Sequence, residues 1–399
     1  MKTWGTLSTV AMAVAMASSC ALADVSEQAR EIAKKYILVD THIDVPYRVE
    51  EKWVDVTKAT KDGDFDYPRA VAGGLNAPFM SVYVPASLDD SPKSTALADR
   101  LIDSVEAIVG RAPDKFAIAT SPAQVKENFA KGLISLPMGM ENGSPIQGDL
   151  NNLKHFYERG IRYITLAHSL SNHIADSSYD LRRKWKGLSP FGKKLITEMN
   201  NLGVMVDISH VSDDAFYQAL EISKVPVIAS HSSLRAFTPG FERNMSDDML
   251  KALGENGGII QINFGSAFVS GMANNWGTKL KEKGKDITEK FGKDSKEAEK
   301  FEQDYKKANP YPFADLKIVL DHIDHVVQLI GIDHVGIGSD FDGVGDSLPI
   351  GLKDVSEYPN LVQGLLDRGY SEQDIAKILG GNILRIWQQI EDYASAQKA

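Results

Sequence analysis

Residues 36–44 read Tyr-Ile-Leu-Val-Asp-Thr-His-Ile-Asp, an apolar run that ends in a histidine and an aspartate. Its length and its β-branched and apolar composition predict a buried strand, Tyr36–Thr41. His42 and Asp44 lie two positions apart, so their side chains project to the same side of an extended chain. A strand that delivers polar side chains where it ends is typical of a parallel sheet with a site at its carboxyl edge.

The same pattern recurs along the chain of 399 residues. Seven more strands are predicted, at Phe79–Pro85, Ile134–Met140, Tyr163–Ala167, Met205–Ser209, Val225–Ser230, Gly258–Asn263 and His334–Ser339. Amphipathic stretches that predict helices include Asn151–Arg159, Pro190–Leu202, Asp213–Ile222 and Ala314–Leu329. Eight strands alternating with helices predict an α/β protein with a (β/α)8 TIM-like barrel. An open doubly wound sheet is the alternative, but no glycine-rich phosphate turn follows the first strand.

One segment, residues 264–313, departs from this alternation. Its centre, Lys279–Lys307, is dense in lysine and glutamate and has few apolar residues. We therefore predict a charged helical insertion after the seventh strand. The favoured interpretation is a solvated helix with i,i+4 ion pairs on the barrel rim. A lid over the active site is the alternative, because long insertions in compact domains are often functional.

The composition is that of a soluble globular protein with an acidic balance. The chain has 44 Lys+Arg against 54 Asp+Glu, a net charge of −10, and 43% hydrophobic residues. The acidic balance argues against a nucleic-acid partner, which would need a basic face. The single cysteine, Cys20, excludes a disulfide framework and a cysteine-rich zinc module.

Residues 1–23 have the pattern of a signal peptide. Lys2 precedes an uncharged run with a short apolar centre, and Ala21-Leu-Ala23 forms an A-x-A cleavage site. We expect cleavage after this site, export to a periplasm or to the medium, no stable membrane insertion, and a single mature domain over residues 24–399. A lipidated Cys20 is the less favoured alternative, because the preceding residues lack the usual leucine.

Polar residues follow the ends of the predicted strands, and in a barrel those ends meet at one opening. The set comprises His42, Asp44, Glu141, His168, His210, His231 and Asp340. Histidine and carboxylate are zinc ligands. Three histidines (His42, His210, His231) and two carboxylates (Asp44, Glu141) exceed the needs of one tetrahedral ion, which predicts two ions bridged by Glu141. Taken singly, each residue has an ordinary interpretation as a core histidine, a cap or a turn residue.

Asp340 has a separate argument. It follows Gly336-Ile-Gly-Ser339, whose small residues let the backbone approach a site closely. A carboxylate at this place can accept a proton and pass it to a leaving group. Asp342, or a turn role for either aspartate, is the alternative.

These motifs resemble the membrane dipeptidase (renal dipeptidase) family of binuclear zinc peptidases, which have an amidohydrolase-like barrel. The resemblance extends from about Ile32 to Trp387. The matching stretches are Val39-Asp-Thr-His-Ile-Asp-Val-Pro46, Gly139-Met-Glu-Asn-Gly143, Ile161 to His168 with Ala175-Asp-Ser177, Val206-Asp-Ile-Ser-His-Val-Ser212, Ser230-His-Ser-Ser233, Arg243-Asn244, Gly338-Ser-Asp-Phe-Asp-Gly343 and Tyr358 to Arg385.

The resemblance implies a role for each site residue. Two Zn²⁺ ions per chain would be bridged by Glu141 and a hydroxide or water, with His42 and Asp44 on one ion and His210 and His231 on the other. His168 would contact the substrate and its developing oxyanion, Arg243 would pair with the free carboxylate, and Asp340 would shuttle the proton. One departure is that Gly265 and Phe268 stand where some relatives carry tyrosines, which puts in doubt a hydrogen bond from that loop to the substrate.

The expected function is therefore that of an exported zinc-dependent dipeptidase, a metallopeptidase acting on small dipeptides with a free C-terminal carboxylate, including L-Xaa-D-Xaa. The tail over residues 391–399 has no hydrophobic run, so we do not expect the C-terminal lipid anchor of the mammalian members. The alternatives are a metal-dependent amidohydrolase acting on N-acyl-D-amino acids or β-lactams, and a non-catalytic metal- or peptide-binding barrel. A homodimer and a monomer both stay open.

Overall fold

Eight parallel strands close into a barrel in the computed structural model, which describes residues 25–398. The predicted signal peptide and Cys20 lie outside the described residues. In chain order the strands are β1 (Leu38–Ile43), β2 (Leu75–Tyr83), β3 (Phe116–Ile118), β4 (Ile134–Leu136), β5 (Met138–Glu141), β6 (Ile161–Thr165), β7 (Met205–Asp207), β8 (Ile228–Ser232), β9 (Ile259–Ile262) and β10 (Val335–Ile337). The barrel order is β1-β10-β9-β8-β7-β6-β5-β2, which confirms the predicted fold.

The third predicted strand, Ile134–Met140, was wrong as a single element. It contains two strands, of which β4 pairs with β3 in a separate small sheet and only β5 enters the barrel. Pro137 separates them because proline has no backbone N–H to donate to a ladder. Its carbonyl still accepts a hydrogen bond from Met80 N at 2.8 Å, which ties the break to β2.

Helices cover the outside of the barrel. They are α1 (Glu27–Lys35), α2 (Val45–Glu51), α3 (Tyr67–Gly73), α4 (Lys93–Arg111), α5 (Pro122–Ala130), α6 (Leu150–Glu158), α7 (Pro190–Leu202), α8 (Asp213–Ile222), α9 (Asp247–Asn256), α10 (Ser266–Val269), α11 (Gly271–Phe291), α12 (Lys296–Ala308), α13 (Leu316–Ile330), α14 (Tyr358–Asp367), α15 (Glu372–Ala376) and α16 (Asn382–Lys398). The predicted bounds of α7 and α8 coincide with the observed ones. Both helices begin after a serine N-cap, Ser189 or Ser212, whose hydroxyl accepts a backbone N–H three residues on.

The barrel interior is filled by large side chains and is not a pore. Tyr163 on β6 and Phe79 on β2 are fully buried, with ring centroids 5.5 Å apart, and Trp387 of α16 packs on Phe79 at 5.3 Å. This packing fixes the directions in which the strands emerge at their carboxyl ends. The Tyr163 hydroxyl reaches toward that end, so the core is in contact with the candidate site.

The segment after β9, the seventh barrel strand, folds as a helical hairpin, which confirms the predicted charged insertion. On α12, Lys300 pairs with Asp304 at 2.6 Å. The hairpin has a small apolar interior of its own, where Trp276 of α11 meets Tyr305 of α12 with ring centroids 5.4 Å apart. Among the residues that the structure describes, no helix has both the length and the apolar character needed to cross a membrane.

Candidate metal centre

The structure brings the predicted ligands together at the carboxyl ends of the barrel strands. Three overlapping groups of side chains each place their ligand atoms within 4.8 Å of one another. These groups are His42 with Glu141 and His231, Glu141 with His168 and His210, and His42 with Asp44 and Asp340. Because the groups share members, the seven residues form one continuous polar cluster.

Glu141 lies at the centre of this cluster, and its two oxygens face different histidines. Oε2 lies 3.4 Å from Nε2 of His42, whereas Oε1 lies 3.1 Å from Nε2 of His210 and 3.2 Å from Nε2 of His231. Asp44 is on the His42 side, with Oδ2 3.4 Å from Nε2 of that histidine. A carboxylate whose oxygens face separate ligand sets has the arrangement needed to bridge two ions.

The hydrogen-bond network around His42 tests whether its ring can hold a metal. The hydroxyl of Tyr163 donates to the Thr41 carbonyl at 3.0 Å and lies 2.9 Å from His42 Nδ1. Since that hydroxyl proton is already donated, Nδ1 of His42 is the donor, and Nε2 is the ring nitrogen left to bind a proton or a metal ion. Nε2 is buried and has no hydrogen-bond partner, so it fits a metal ion as acceptor.

The ring of His231 is oriented in the same way. The Ser230 hydroxyl donates to Oδ2 of Asp207 at 2.6 Å and lies 2.8 Å from His231 Nδ1. Nδ1 therefore donates to the serine, and the Nε2 lone pair faces Glu141. Carboxylate-supported histidines of this kind are usual metal ligands, because the outer carboxylate fixes the tautomer and raises the basicity of the ring. Asp207 and Ser230 were not predicted as site residues, although both are polar residues within otherwise apolar strands.

The protonation states also suit cation binding. Burial lowers the pKa of His210 and of His231 well below the ordinary value, so both rings are neutral. Burial alone would raise the pKa of Glu141, but the adjacent His42 and His168 outweigh it and hold that pKa well below its usual range. Around an ionised Glu141, the neutral His210 and His231 are in the form that metal ions bind. Burial lowers the pKa of His42, but Tyr163, Glu141 and Asp44 outweigh it and raise that pKa well above its ordinary value, so a metal ion at Nε2 would take the place of a proton.

Two of the site residues have a strained backbone. His210 follows β7 with φ of 69°, and Asp340 follows β10 with φ of 65°. The left-handed region costs a residue other than glycine about 1–3 kcal/mol, and such residues cluster at active sites. These turns direct the side chains of His210 and Asp340 into the cluster. A regular strand end would direct them elsewhere.

Asp340 is buried and bonded on one side only. Its Oδ2 accepts a hydrogen bond from Asn263 Nδ2 at 2.7 Å. Burial raises the pKa of Asp340 well above its ordinary value, and the Asp44 and Glu141 carboxylates add to the shift while His42 opposes it. Asn263 was not predicted as a site residue. It is the polar residue that directly follows β9, so the expectation that site residues follow strand ends would have included it. Asp342 is engaged by Arg48, whose Nη1 lies 2.8 Å from its Oδ1.

Replacing Gly343 with alanine is expected to disturb the cluster directly. A Cβ at this position would lie 2.2 Å from Oδ1 of Asp340 and 2.2 Å from Oδ2 of Asp44, closer than real atoms approach. Because displacing reacting groups by about 1 Å can cost about 10²-fold in rate, we expect kcat/KM to fall by that order. Steady-state kinetics of G343A measure the effect. Gly110→Ala on α4, where a Cβ meets nothing within 4 Å, is the matched control. Wild-type kinetics in G343A would contradict the prediction.

A cavity of 880 Å³ opens above the cluster. Asp44, Glu141, His168, His210 and Asp340 line it, whereas His42, His231 and Arg243 are almost fully buried, at 0%, 1% and 4% exposure. The His168 side chain is 19% exposed, against 6% for that of His210, so His168 is the histidine most open to the cavity.

Arg243 is held by two donated hydrogen bonds, from Nη1 to Ser232 Oγ at 2.8 Å and from Nη2 to the His231 carbonyl at 2.7 Å. Its Nε is buried without a partner. The guanidinium carbon lies 5.5 Å from the ring centroid of Phe268, which lines the cavity. The Nε edge of the Arg243 guanidinium therefore has N–H groups that are free to donate to a ligand beside the cluster.

The cavity walls contain residues that sequence analysis did not select. Tyr83, Tyr179, Lys281 and Tyr311 all line it. Phe268 has no hydroxyl, yet four tyrosines from other segments, these three and Tyr47, line the cavity. No local pattern distinguishes these residues from ordinary surface residues. Only the folded chain shows which of them face the site.

Comparisons with known proteins agree with this geometry. A family model described as membrane dipeptidase, peptidase family M19, matches residues 26–399. An uncharacterised dipeptidase from Schizosaccharomyces pombe is 32% identical over 92% of this chain and 83% of its own length. The dipeptidase tcpJ from Claviceps purpurea is 35% identical over 86% of this chain and 74% of its own.

Solved structures share the fold. The probable dipeptidase PvdM from Pseudomonas aeruginosa superposes with a TM-score of 0.77 at 28% identity, covering 92% of this chain and 98% of that one. A metallo peptidase from Rhodobacter sphaeroides, liganded with a phosphinate mimic of the dipeptide L-Ala-D-Ala, has a TM-score of 0.73 at 24% identity over 89% of this chain and 99% of that one. Because the Rhodobacter sphaeroides protein is only 24% identical, its similarity to this chain shows a shared fold and nothing more.

Proposed function

The chain belongs to the membrane dipeptidase family of metallopeptidases, and from this membership we propose that it is a zinc dipeptidase that binds two Zn²⁺ ions per chain. The observation that carries the proposal is the position of Glu141 between two sets of nitrogen and oxygen ligands. His42 and Asp44 would hold one ion, and His210 and His231 the other. Bound there, the ions would lower the pKa of water toward neutrality and polarise the scissile carbonyl.

The remaining residues bind the substrate and move the proton. His168, open to the cavity, is proposed to contact the substrate and donate to the developing oxyanion. Asp340 has Oδ2 occupied by Asn263, so Oδ1 is the atom that would accept a proton and deliver it to the leaving amine. The position of Asp340 beside His42 and Asp44 supports this role, because a proton carrier must lie within reach of the reacting atoms.

Arg243 is proposed to select substrates with a carboxylate just past the scissile bond. Its unpartnered Nε and a free Nη hydrogen offer two parallel donors, the geometry that a carboxylate accepts. This pairing would limit cleavage to dipeptides and close analogues. We propose L-Xaa-D-Xaa dipeptides among the substrates, as the family resemblance implies, since Arg243 would recognise the carboxylate and not the side chain.

The substrate class is tested with the zinc-loaded protein on L-Ala-L-Ala, L-Ala-D-Ala, tri-alanine and N-acetyl-D-alanine. Hydrolysis of the dipeptides and not of the tripeptide is the expected result. Turnover of N-acetyl-D-alanine alone would instead favour an amidohydrolase, and a protein that binds metal yet cleaves none of the four would favour a binding protein.

Replacing Arg243 with lysine is expected to raise KM about 10- to 100-fold with a smaller change in kcat. Lysine cannot form the bidentate pair, and a charged hydrogen bond contributes about 1.5–3 kcal/mol. The measurement compares L-Ala-L-Ala with its C-terminal amide. The wild type should discriminate strongly between them and the variant weakly. An R243K enzyme that still rejects the amide as the wild type does would contradict this role.

We also propose that the protein is exported. The support is the charge and hydrophobicity pattern of residues 2–23. Expression of the full chain in a bacterium, followed by fractionation and mass measurement of the intact protein, tests it. A periplasmic chain that begins at Asp24 is expected, and a cytoplasmic chain that retains Met1 would contradict it. A lipid-modified Cys20 would instead support the less favoured alternative.

A further inference from the structure

The insertion contributes a charged group to the cavity, although most of it is remote from the metal ligands. Lys281 of α11 lines the cavity, as do Phe268 of α10 and Tyr311 beyond α12. Among the described residues that line it, Lys281 is the only lysine or arginine. The insertion therefore places one cation at the mouth of a site whose other charged walls are mainly carboxylates.

Lys281 has no anionic partner in the described part of the chain. Lys279 and Lys283 on the same helix have none either, but of these three lysines Lys281 is the one that lines the cavity. Within residues 25–398 no carboxylate lies within 4.0 Å of its ammonium group, whereas Lys285 on the same helix approaches Glu289 at 3.8 Å. The sequence explains the difference. The positions three and four residues from Lys281 hold Gly277, Thr278, a glycine and a lysine, so no helical neighbour can pair with it. A Cβ at Gly277, one helical turn before Lys281, would meet nothing within 4 Å, so no other element covers the helix at that position.

The carboxylates of the cavity do not neutralise Lys281. Asp44, Glu141 and Asp340 belong to the metal cluster, and Asp342 is paired with Arg48. Glu51, at the end of α2, is the remaining carboxylate of the lining, and it forms no ion pair with Lys281 within 4.0 Å. The mouth of the cavity thus offers a positive group at one place and a negative group at another.

We infer that Lys281 is a specificity-determining residue that selects dipeptides with a carboxylate in a side chain. This inference rests on the proposed dipeptidase function. Arg243, which is 4% exposed, would take the terminal carboxylate next to the metal ligands. The exposed Lys281, at the mouth, is placed for a second carboxylate of the same substrate. The ammonium group of Lys281 would attract the side-chain carboxylate of a substrate glutamate more strongly than the neutral amide of a glutamine of nearly the same shape.

The test compares substrates that differ only in that charge. The zinc-loaded wild type is assayed on L-Ala-L-Glu against L-Ala-L-Gln, and on L-Glu-L-Ala against L-Gln-L-Ala. In the wild type, kcat/KM for the acidic member of at least one pair should exceed that for the amide. In Lys281→Glu this ratio should fall by about fivefold or more, mainly through KM, because a weak attraction becomes a repulsion. Lys279→Glu, on the same helix and outside the cavity lining, carries the same change in net charge and should keep the wild-type ratio.

Each outcome has a separate meaning. If the wild type cleaves L-Ala-L-Gln but the ratios in Lys281→Glu equal those of Lys279→Glu, the assignment of Lys281 is overturned while the dipeptidase function stands. A uniform rise of KM for acidic and neutral dipeptides alike also overturns it, since Lys281 would then bind the terminal carboxylate. If the wild type cleaves no dipeptide, the proposed function itself fails.

Discussion

Replacing Glu141 with glutamine is expected to abolish dipeptidase activity and to remove metal from the protein. Each carboxylate oxygen faces different histidines, His42 on one side and His210 with His231 on the other. An amide has one weakly basic oxygen and an NH₂ group that would point a proton at one set of ligands. Loss of residues that only support metal ligands costs about 10- to 100-fold in affinity or activity, so loss of the bridging carboxylate should exceed 100-fold.

The measurements are metal content after dialysis and kcat/KM on one dipeptide. Glu127→Gln, which removes an exposed carboxylate paired with Lys131 on α5, has the same charge change and should behave as wild type. Circular dichroism of E141Q establishes that the barrel is folded. A folded E141Q that retains wild-type metal content and turnover would show that Glu141 does not bridge the ions.

Replacing Asp340 with asparagine is expected to lower kcat about 100-fold or more while leaving the metal content unchanged. The proposed role of Asp340 is proton transfer, which contributes about 10²- to 10⁴-fold in enzymes. Asparagine has nearly the same shape but cannot accept and release a proton. The four residues proposed for the two ions and the bridging Glu141 are untouched, so binding of metal should persist.

Metal content separates this role from that of a ligand. Asp340 shares a group with His42 and Asp44, so loss of metal in D340N would identify it as a ligand and not a proton carrier. Asp346→Asn, an exposed aspartate on the same loop, is the control for charge and should keep full activity. Unchanged turnover in D340N would exclude Asp340 from both roles.

The barrel was predictable because its strands are buried on both faces and therefore read as apolar runs. The helices α7 and α8 were predictable in detail because each begins at a serine cap. Strand β3 was not predicted, because it belongs to a small two-stranded sheet outside the barrel, for which the alternation of barrel strands and helices gives no place. The break at Pro137 was predictable, because proline is disfavoured inside a central strand. That rule would have divided the predicted strand Ile134–Met140 into two.

The candidate ligands were found by one rule, that polar residues follow strand ends at a shared opening. The rule works because parallel strands in a barrel all end at the same face. It missed Asp207 and Ser230, which orient His231 from within strands, and it had no means of finding Lys281. The position of that lysine depends on how the helical hairpin packs on the barrel, and long-range packing leaves no local sequence signal.

In the proposed function, two zinc ions bridged by Glu141 are required for hydrolysis. Its most direct test is titration of the metal-depleted chain with Zn²⁺, following both bound metal and turnover of L-Ala-D-Ala. The expected result is an inactive metal-free protein whose turnover rises with added zinc and levels off at two equivalents per chain. A metal-free chain with full turnover, or a zinc-saturated chain that holds a single ion, would contradict the account.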